Sequence, residues 1–248
     1  LLKDYLLTGI CIFKDVWINY HIVDENVKKI SKSAGNGINP QDILNKFGAE
    51  PFRLWAALEG NLEKTDFRCS LERIEGSGKT ISKLWNVAKF ISMFPNVEFK
   101  TLHEAEKHLT ELDRWILDEL NHVTRKAHEC YPKYDFHNPM VDIRHFIWEE
   151  FASHYIELVK NRAYNQNTEF SKDSQHAAIY TLNHVLKTLL NLMAPVLPLI
   201  TYKIYHSLYG KDVHFESFVE IQKQFEVHLT IEDITALNSF IWKSKKDQ

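Results

Sequence analysis

From Asp15 to Asp24 the chain alternates, with Val16, Ile18, Tyr20 and Ile22 on one side and Trp17, Asn19, His21 and Val23 on the other. That period of two predicts a strand, and its second side is apolar enough for a sheet covered on both faces. Beyond it the periodicity becomes helical. Asn39 is placed to cap a helix that begins at Pro40 and ends at Gly48. A second short helix is expected from Glu50 to Leu58, stopping at Gly60, and a longer one from Ser77 to Phe94 with Ile81, Leu84, Trp85, Ala88 and Ile91 on its buried face.

The pattern weakens between Phe94 and His108, and the polar step at Pro95-Asn96 reads as a domain boundary. Thr110-Glu111-Leu112-Asp113 has the form of a capping box, followed by Leu112, Trp115, Ile116, Leu120, Val123 and Ala127 at helical spacing until Tyr131-Pro132. Asn138 with Pro139 is expected to open the next and longest helix, striped by Ile143, Ile147, Phe151, Tyr155 and Leu158. A third begins near Ser171 or Asp173, carries Ile179, Leu182, Leu186, Leu189 and Met193, and must break at Ala194-Pro195 and Pro198 because proline lacks the donor. The fourth spans Leu199 to Leu208 before Gly210. Four such helices with short connections predict an antiparallel bundle. Val213 to Val227 has no clear period, and Ile231 to Lys246 is again helical, with Lys243, Lys245 and Lys246 as a basic, solvated end. The expected fold is therefore mainly α. The end of an α/β domain occupies 1–94, a helical bundle 95–220 and an extension 221–248.

Composition narrows the function. Hydrophobic residues are 44% and charged residues 25%, which excludes a disordered chain. The formal net charge of −3 means that any nucleic acid must be met by local patches, not by the whole surface. Three well-separated cysteines, Cys11, Cys69 and Cys130, fit neither a zinc knuckle nor a disulfide framework, and point to a reducing, cytoplasmic setting with no protein metal site. No apolar run is long enough to span a bilayer, so no membrane partner is expected. Both ends are abrupt, so the chain is expected to be a portion of a longer protein.

The candidate chemistry sits just after the predicted strand, in Lys29-Ile30-Ser31-Lys32-Ser33-Ala34-Gly35-Asn36. Its ammonium groups, hydroxyls and glycine suit a loop that holds a polyphosphate, with Lys32 as a point charge and Ser31 and Ser33 as donors. Lys-Ser turns are also common solvated surface. The loop resembles the KMSKS signature of class I aminoacyl-tRNA synthetases, with Ile30 at the methionine position. Asn39-Pro40, Phe47-Gly48-Ala49-Glu50 and Arg53-Leu54-Trp55 are similar to the continuation of that signature in the valine, isoleucine and leucine enzymes. Lys83 to Phe90, Phe146 to Phe151 and Tyr155 to Lys160 resemble the valine enzymes in particular, and Met193 to Pro198 resembles the same group.

This resemblance implies the last catalytic strand and signature loop, a stem-contact fold and an anticodon-binding bundle. It implies ATP as substrate with Mg2+, Lys32 stabilising the pyrophosphate leaving group, Lys29 assisting, and Ile30, Ser31, Ser33 and His21 at the ATP site. The implied partners are a valine tRNA and the amino-terminal catalytic and editing parts of the same protein. Lacking the family's His-x-Gly-His, the chain alone is expected not to activate valine. Arg114, Arg144, Lys160 and Arg162 are candidates for tRNA phosphates, and Lys79, Lys83 and Lys89 for further RNA contact. Departures from the family include Tyr20 and Asn26-Val27 where glycines are usual, Ser153 for an aspartate and Tyr202 for a glutamate. Since valine cannot readily take a positive φ, the turn is expected to differ or to use Asn26. An isoleucine enzyme and a non-catalytic tRNA-binding module remain open.

Overall fold

The computed structural model describes residues 2–11, 13–16, 18, 20–31, 33–61, 65–95, 99, 102–222 and 224–246. Expectations on Leu1, Trp17, Asn19, Lys32 and Asn96, and on the side chains of Lys245 and Lys246, fall outside the described residues. In chain order the elements are α1 (Leu2–Thr8), β1 (Ile22–Val23), α2 (Pro40–Phe47), α3 (Ala49–Leu58), β2 (Phe67–Arg68), α4 (Leu71–Ile91) and α5 (Leu102–Glu106). Then come α6 (Glu111–Cys130), α7 (His137–His145), a π-helical stretch (Phe146–Tyr155), α8 (Ile156–Tyr164), α9 (Lys172–Met193), α10 (Pro198–Tyr209) and α11 (Ile231–Lys246). The fold is mainly helical.

The expected strand is corrected to two residues. Ile22 and Val23 pair in parallel with Phe67 and Arg68, and among the described residues none of 13–16, 18 and 20 has a ladder partner. Ladder partners hold an extended chain in a sheet, so alternation without them leaves Val16, Ile18 and Tyr20 exposed. Asn39 does cap α2, accepting from Gln41 N at 3.1 Å. Gly48 ends it at φ +84°, a conformation open to glycine.

The long helix α4 starts six residues before the expected Ser77, running through Gly76 and Gly78. Ile74 and Thr80 join its buried face with Leu84, Ala88 and Ile91, whereas Trp85 is corrected to an exposed position. Successive residues of α3 serve two cores. Leu54, fully buried, packs with α4 and the bundle, while Trp55 packs with Ile43, Phe67, Cys69 and Ile74.

The bundle consists of α6, the continuous α7–π–α8 rod, α9 and α10. Thr110 and Asp113 form the predicted capping box at the start of α6. At α7 the cap is corrected: Asp135, not Asn138, supplies the acceptor, binding Asn138 N at 3.1 Å, and the helix begins at His137. The sequence spacing 143, 147, 151, 155 steps by four without the usual alternating three. Three of those residues flank or occupy the π stretch, whose wider turns keep Ile147, Phe151 and Tyr155 fully buried. Pro198 is the first residue of α10, where a missing N–H is harmless. Residues 216–222 and 224–230 have no regular structure, yet they strap the bundle. Val219 N donates to Asn191 Oδ1 at 2.9 Å, Gln222 N to Asn121 Oδ1 at 3.1 Å and His228 N to Glu111 Oε1 at 3.2 Å.

Two side chains fasten the first region to the bundle. The Glu50 carboxylate accepts from Leu199 N at 3.1 Å and Ile200 N at 3.2 Å, capping α10 from another helix. Arg53 donates to Val196 O at 2.7 Å and Pro195 O at 3.2 Å, satisfying carbonyls freed by the proline break.

Candidate functional site

The lysine–serine loop is held at both ends by one carboxylate and one amide. Asp24 Oδ1 accepts from Asn26 N and Lys28 N, each at 2.9 Å, and Asp24 Oδ2 accepts from Asn36 Nδ2 at 2.9 Å. Asn36 also donates to Lys29 O at 3.2 Å and accepts from Ser31 N at 3.0 Å. The Asn36 amide, followed by the Lys28 N–H, holds the Asp24 carboxyl below the usual carboxylate range. Val27 takes φ +63° itself, correcting the expectation that it could not. The two N–H bonds to Asp24 close the turn tightly enough to impose a conformation costing about 1–2 kcal/mol in a non-glycine residue.

Ile30, between the pinned backbones of Lys29 and Ser31, turns inward against the cluster of Ile43, Trp55 and Phe67. Its place is therefore the floor of the loop. Lys29 and Ser33 are exposed, and Ser31 is half-buried. Ser31 Oγ lies 3.3 Å from Ser33 Oγ and accepts from Ala34 N at 3.2 Å, while Gly35 turns the chain at φ +68°. Lys32 lies outside the described residues. His21 is exposed beside the loop, with its N–H donating to Asp66 Oδ1 at 2.9 Å and its carbonyl accepting from Phe67 N at 3.0 Å. Tyr20 is also exposed. The Lys29 ammonium and the Ser33 hydroxyl thus stand outward on a hydrogen-bonded base, an arrangement that can bind phosphate oxygens.

The four proposed tRNA residues do not form one surface. Arg162 is buried, bonded to the fully buried Asp113 carboxylate and donating to Thr110 Oγ1 at 3.0 Å. Tyr155 Oη donates to the same carboxylate at 2.6 Å. Arg162 is therefore a structural ion partner, and its role as a phosphate ligand is corrected. Arg114 is half-buried, donating to Glu106 O at 3.5 Å. Lys160 pairs with Glu157 at 2.5 Å. Arg144 is exposed but stands 16 residues before Lys160 on the same rod, on the order of 20 Å away at a helical rise.

Three lysines and one glutamate, Glu75, meet elsewhere, around a partly apolar groove. This open groove of about 570 Å³ between α2, α4 and the π stretch is lined by Lys46, Lys79, Lys83, Ser82, Asn86 and Trp148 among others. Trp148 donates to Thr80 Oγ1 at 3.2 Å, and the Lys83 ammonium sits 4.7 Å from its ring centroid. Lys79 and Lys83 were legible as candidates on α4. Lys46 and Trp148 join them only through tertiary packing, which leaves no local sequence signal. Asp24 and Asn36 were missed as well, although two Asx residues flanking a loop are a recognisable sign of side chains that bind backbone.

Among the described residues no group of three His, Cys, Asp or Glu side chains is placed to hold a metal ion. No helix among them is long and apolar enough to cross a membrane.

Comparison with known proteins defines the class. Residues 5–68 match tRNA synthetases class I (I, L, M and V), and residues 113–248 match the anticodon-binding domain of tRNA ligase. The chain belongs to this anticodon-binding family of tRNA ligases. Its similarity extends further, to valine–tRNA ligases. It is 36% identical to that of Pyrobaculum aerophilum over 251 residues, covering 99% of this chain and 30% of the relative. It is 32% identical to that of Aeropyrum pernix, with the same coverage, and 32% identical to that of Streptococcus agalactiae over 94% of this chain and 27% of the relative. The chain thus spans under a third of the length of these curated relatives. A LeuRS from Agrobacterium radiobacter K84, solved as a ternary complex with tRNA and LeuAMS, matches the fold with a TM-score of 0.66. That likeness covers 95% of this chain and 30% of LeuRS at 17% identity.

Proposed function

We propose that this chain supplies the ATP-phosphate loop and the tRNA-binding bundle of a cytoplasmic valine–tRNA ligase. That enzyme joins valine to ATP as an adenylate, releases pyrophosphate and transfers valine to its tRNA. The observation that carries the reading is similarity to valine–tRNA ligases over 99% of the chain, loop and bundle together. In the reaction, Lys32 stabilises charge developing on the pyrophosphate as the α-phosphate bond breaks. Lys29 adds a second cation, Ser31 and Ser33 donate to phosphate oxygens, and His21 borders the adenosine. Ile30 serves them by anchoring the loop floor.

Mg2+ accompanies ATP in this chemistry as a counterion to its phosphates. The loop offers lysine and serine donors, with Asp24 already holding three hydrogen bonds, so these residues do not fit a magnesium site and no step is assigned to the ion. Domains divide at 1–94, 95–220 and 221–248. The amino-terminal catalytic and editing parts of the same protein cover the exposed apolar run that includes Val16, Ile18 and Tyr20. Valine tRNA runs along the bundle and the Lys46–Lys79–Lys83 groove, with Arg114, Arg144 and Lys160 as outlying contacts.

In the full-length protein, Lys32→Ala should lower valine-dependent ATP–pyrophosphate exchange by about 10²-fold or more, as removal of one transition-state contact does. Undiminished exchange would sink the catalytic assignment. Lys79→Ala should weaken valine tRNA binding and reduce its salt dependence by about one counterion. An unchanged slope would remove that residue from the interface.

A further inference from the structure

We infer that Asp24 and Asn36 form a latch that positions the phosphate-binding face of the loop, Asn36 being a positioning residue that never touches substrate. The inference rests on the catalytic reading of the loop above. Twelve residues separate the two in sequence, yet their side chains meet at 2.9 Å. The remaining bonds of each go to backbone inside the loop: Asp24 to the N–H groups of Asn26 and Lys28, Asn36 to the carbonyl of Lys29 and the N–H of Ser31. One amide therefore grips the peptide groups on both sides of Ile30.

The grip has a chemical consequence. Fixing the Lys29 carbonyl and the Ser31 N–H at once fixes the rotation of the segment, so Ile30 faces the apolar cluster while Lys29 faces out. Beyond the latch, the turn at 33–35 is closed by its own Ser31 Oγ bond and the positive φ of Gly35. The loop is thus a pinned base carrying a short arm. Pinning the base removes rotational freedom before ATP arrives, so the latch acts on the rate and not on amino-acid affinity.

Two readouts test this. Trypsin digestion of the chain at Lys28 and Lys29 should be about tenfold faster in Asn36→Ala, because three loop hydrogen bonds are lost. In the full-length protein the same variant should lose exchange kcat by about tenfold with the KM for valine unchanged. Asn36→Asp sets two carboxylates together and should behave at least as badly. Adding Asp24→Asn returns one donor–acceptor pair and should restore part of the loss in both assays.

Wild-type cleavage rates in Asn36→Ala would overturn the latch. Faster cleavage with unchanged kcat would overturn the positioning role. If Lys32→Ala exchanged normally, the catalytic reading itself would fall, whatever the digestion showed.

Discussion

The loop platform and the helical bundle are held together by opposite means. Under the loop a small cluster, Ile43, Trp55, Phe67, Cys69 and Ile74, supports a segment otherwise fixed by side chain–backbone hydrogen bonds at the surface. In the bundle, one continuous apolar core runs through every helix and encloses the ion pair of Asp113 with Arg162. Burial dominates the second, since each large side chain contributes roughly 1.5–3 kcal/mol. Surface tethers of about 1 kcal/mol each dominate the first. The part that carries the lysine–serine loop is thus drawn from the weakly held end of the molecule, and the proposed tRNA-binding part from the strongly held end.

The largest test of this contrast is Arg162→Met. Leaving Asp113 buried with its charge unmatched should destabilise the bundle by about 3–5 kcal/mol, read as a fall in the urea midpoint. A small change would mean that the bundle does not depend on its polar centre.

Next is Glu150, on the π stretch, whose carboxyl is pushed up to about 7 by burial, then by Glu119 and Asp142. Its Oε2 is buried without a hydrogen-bond partner, and His145 lies 3.8 Å from Oε1. A carboxyl raised on folding binds its proton more tightly in the native state, so stability falls as pH rises from about 4.5 to about 7. Glu150→Gln should therefore stabilise the chain at pH 8 by on the order of 1–3 kcal/mol, with the gain shrinking toward pH 5. Equal gains at both values would show that Glu150 is not titrating in that window.

The smallest effect belongs to the platform. Val27→Gly relieves the left-handed valine and should slow tryptic cleavage at Lys28, equivalent to on the order of 0.5–1 kcal/mol locally, without moving the urea midpoint of the bundle. A shift of the global midpoint would mean that the two regions unfold as one.

Much of this architecture was legible along the chain because caps and breakers act locally. Asn39, the Thr110–Asp113 box, Pro198 and the span of α11 all stand where residue chemistry places them. Failures arose where a distant partner decides. The strand shrank because ladder partners are non-local, and Asp135 outcompeted Asn138 because of its position in the preceding turn. Arg162 reads as a surface charge in one dimension, since nothing near it announces that Asp113, 49 residues earlier, faces it inside the bundle. The lysine–serine loop was recognisable from its own residues, whereas the Asx pair that flanks it showed only that side chains bind backbone there, not that Asn36 would meet Asp24, Lys29 and Ser31 at once.

Helix α3 has no idle side. Leu54 looks into one compartment, Trp55 into the other, and Glu50 and Arg53 clasp the turn before α10. It works as a party wall, which neither neighbour can rebuild alone. Inserting a single residue between Glu50 and Leu54 would swing everything after it by about 100°, carrying Leu54 into the direction that Trp55 now takes and Trp55 into that of Ala56, and leaving no Leu54 for the bundle. Insertions are tolerated where a segment answers to one neighbour, so the length of α3 is expected to be among the least negotiable dimensions of this chain.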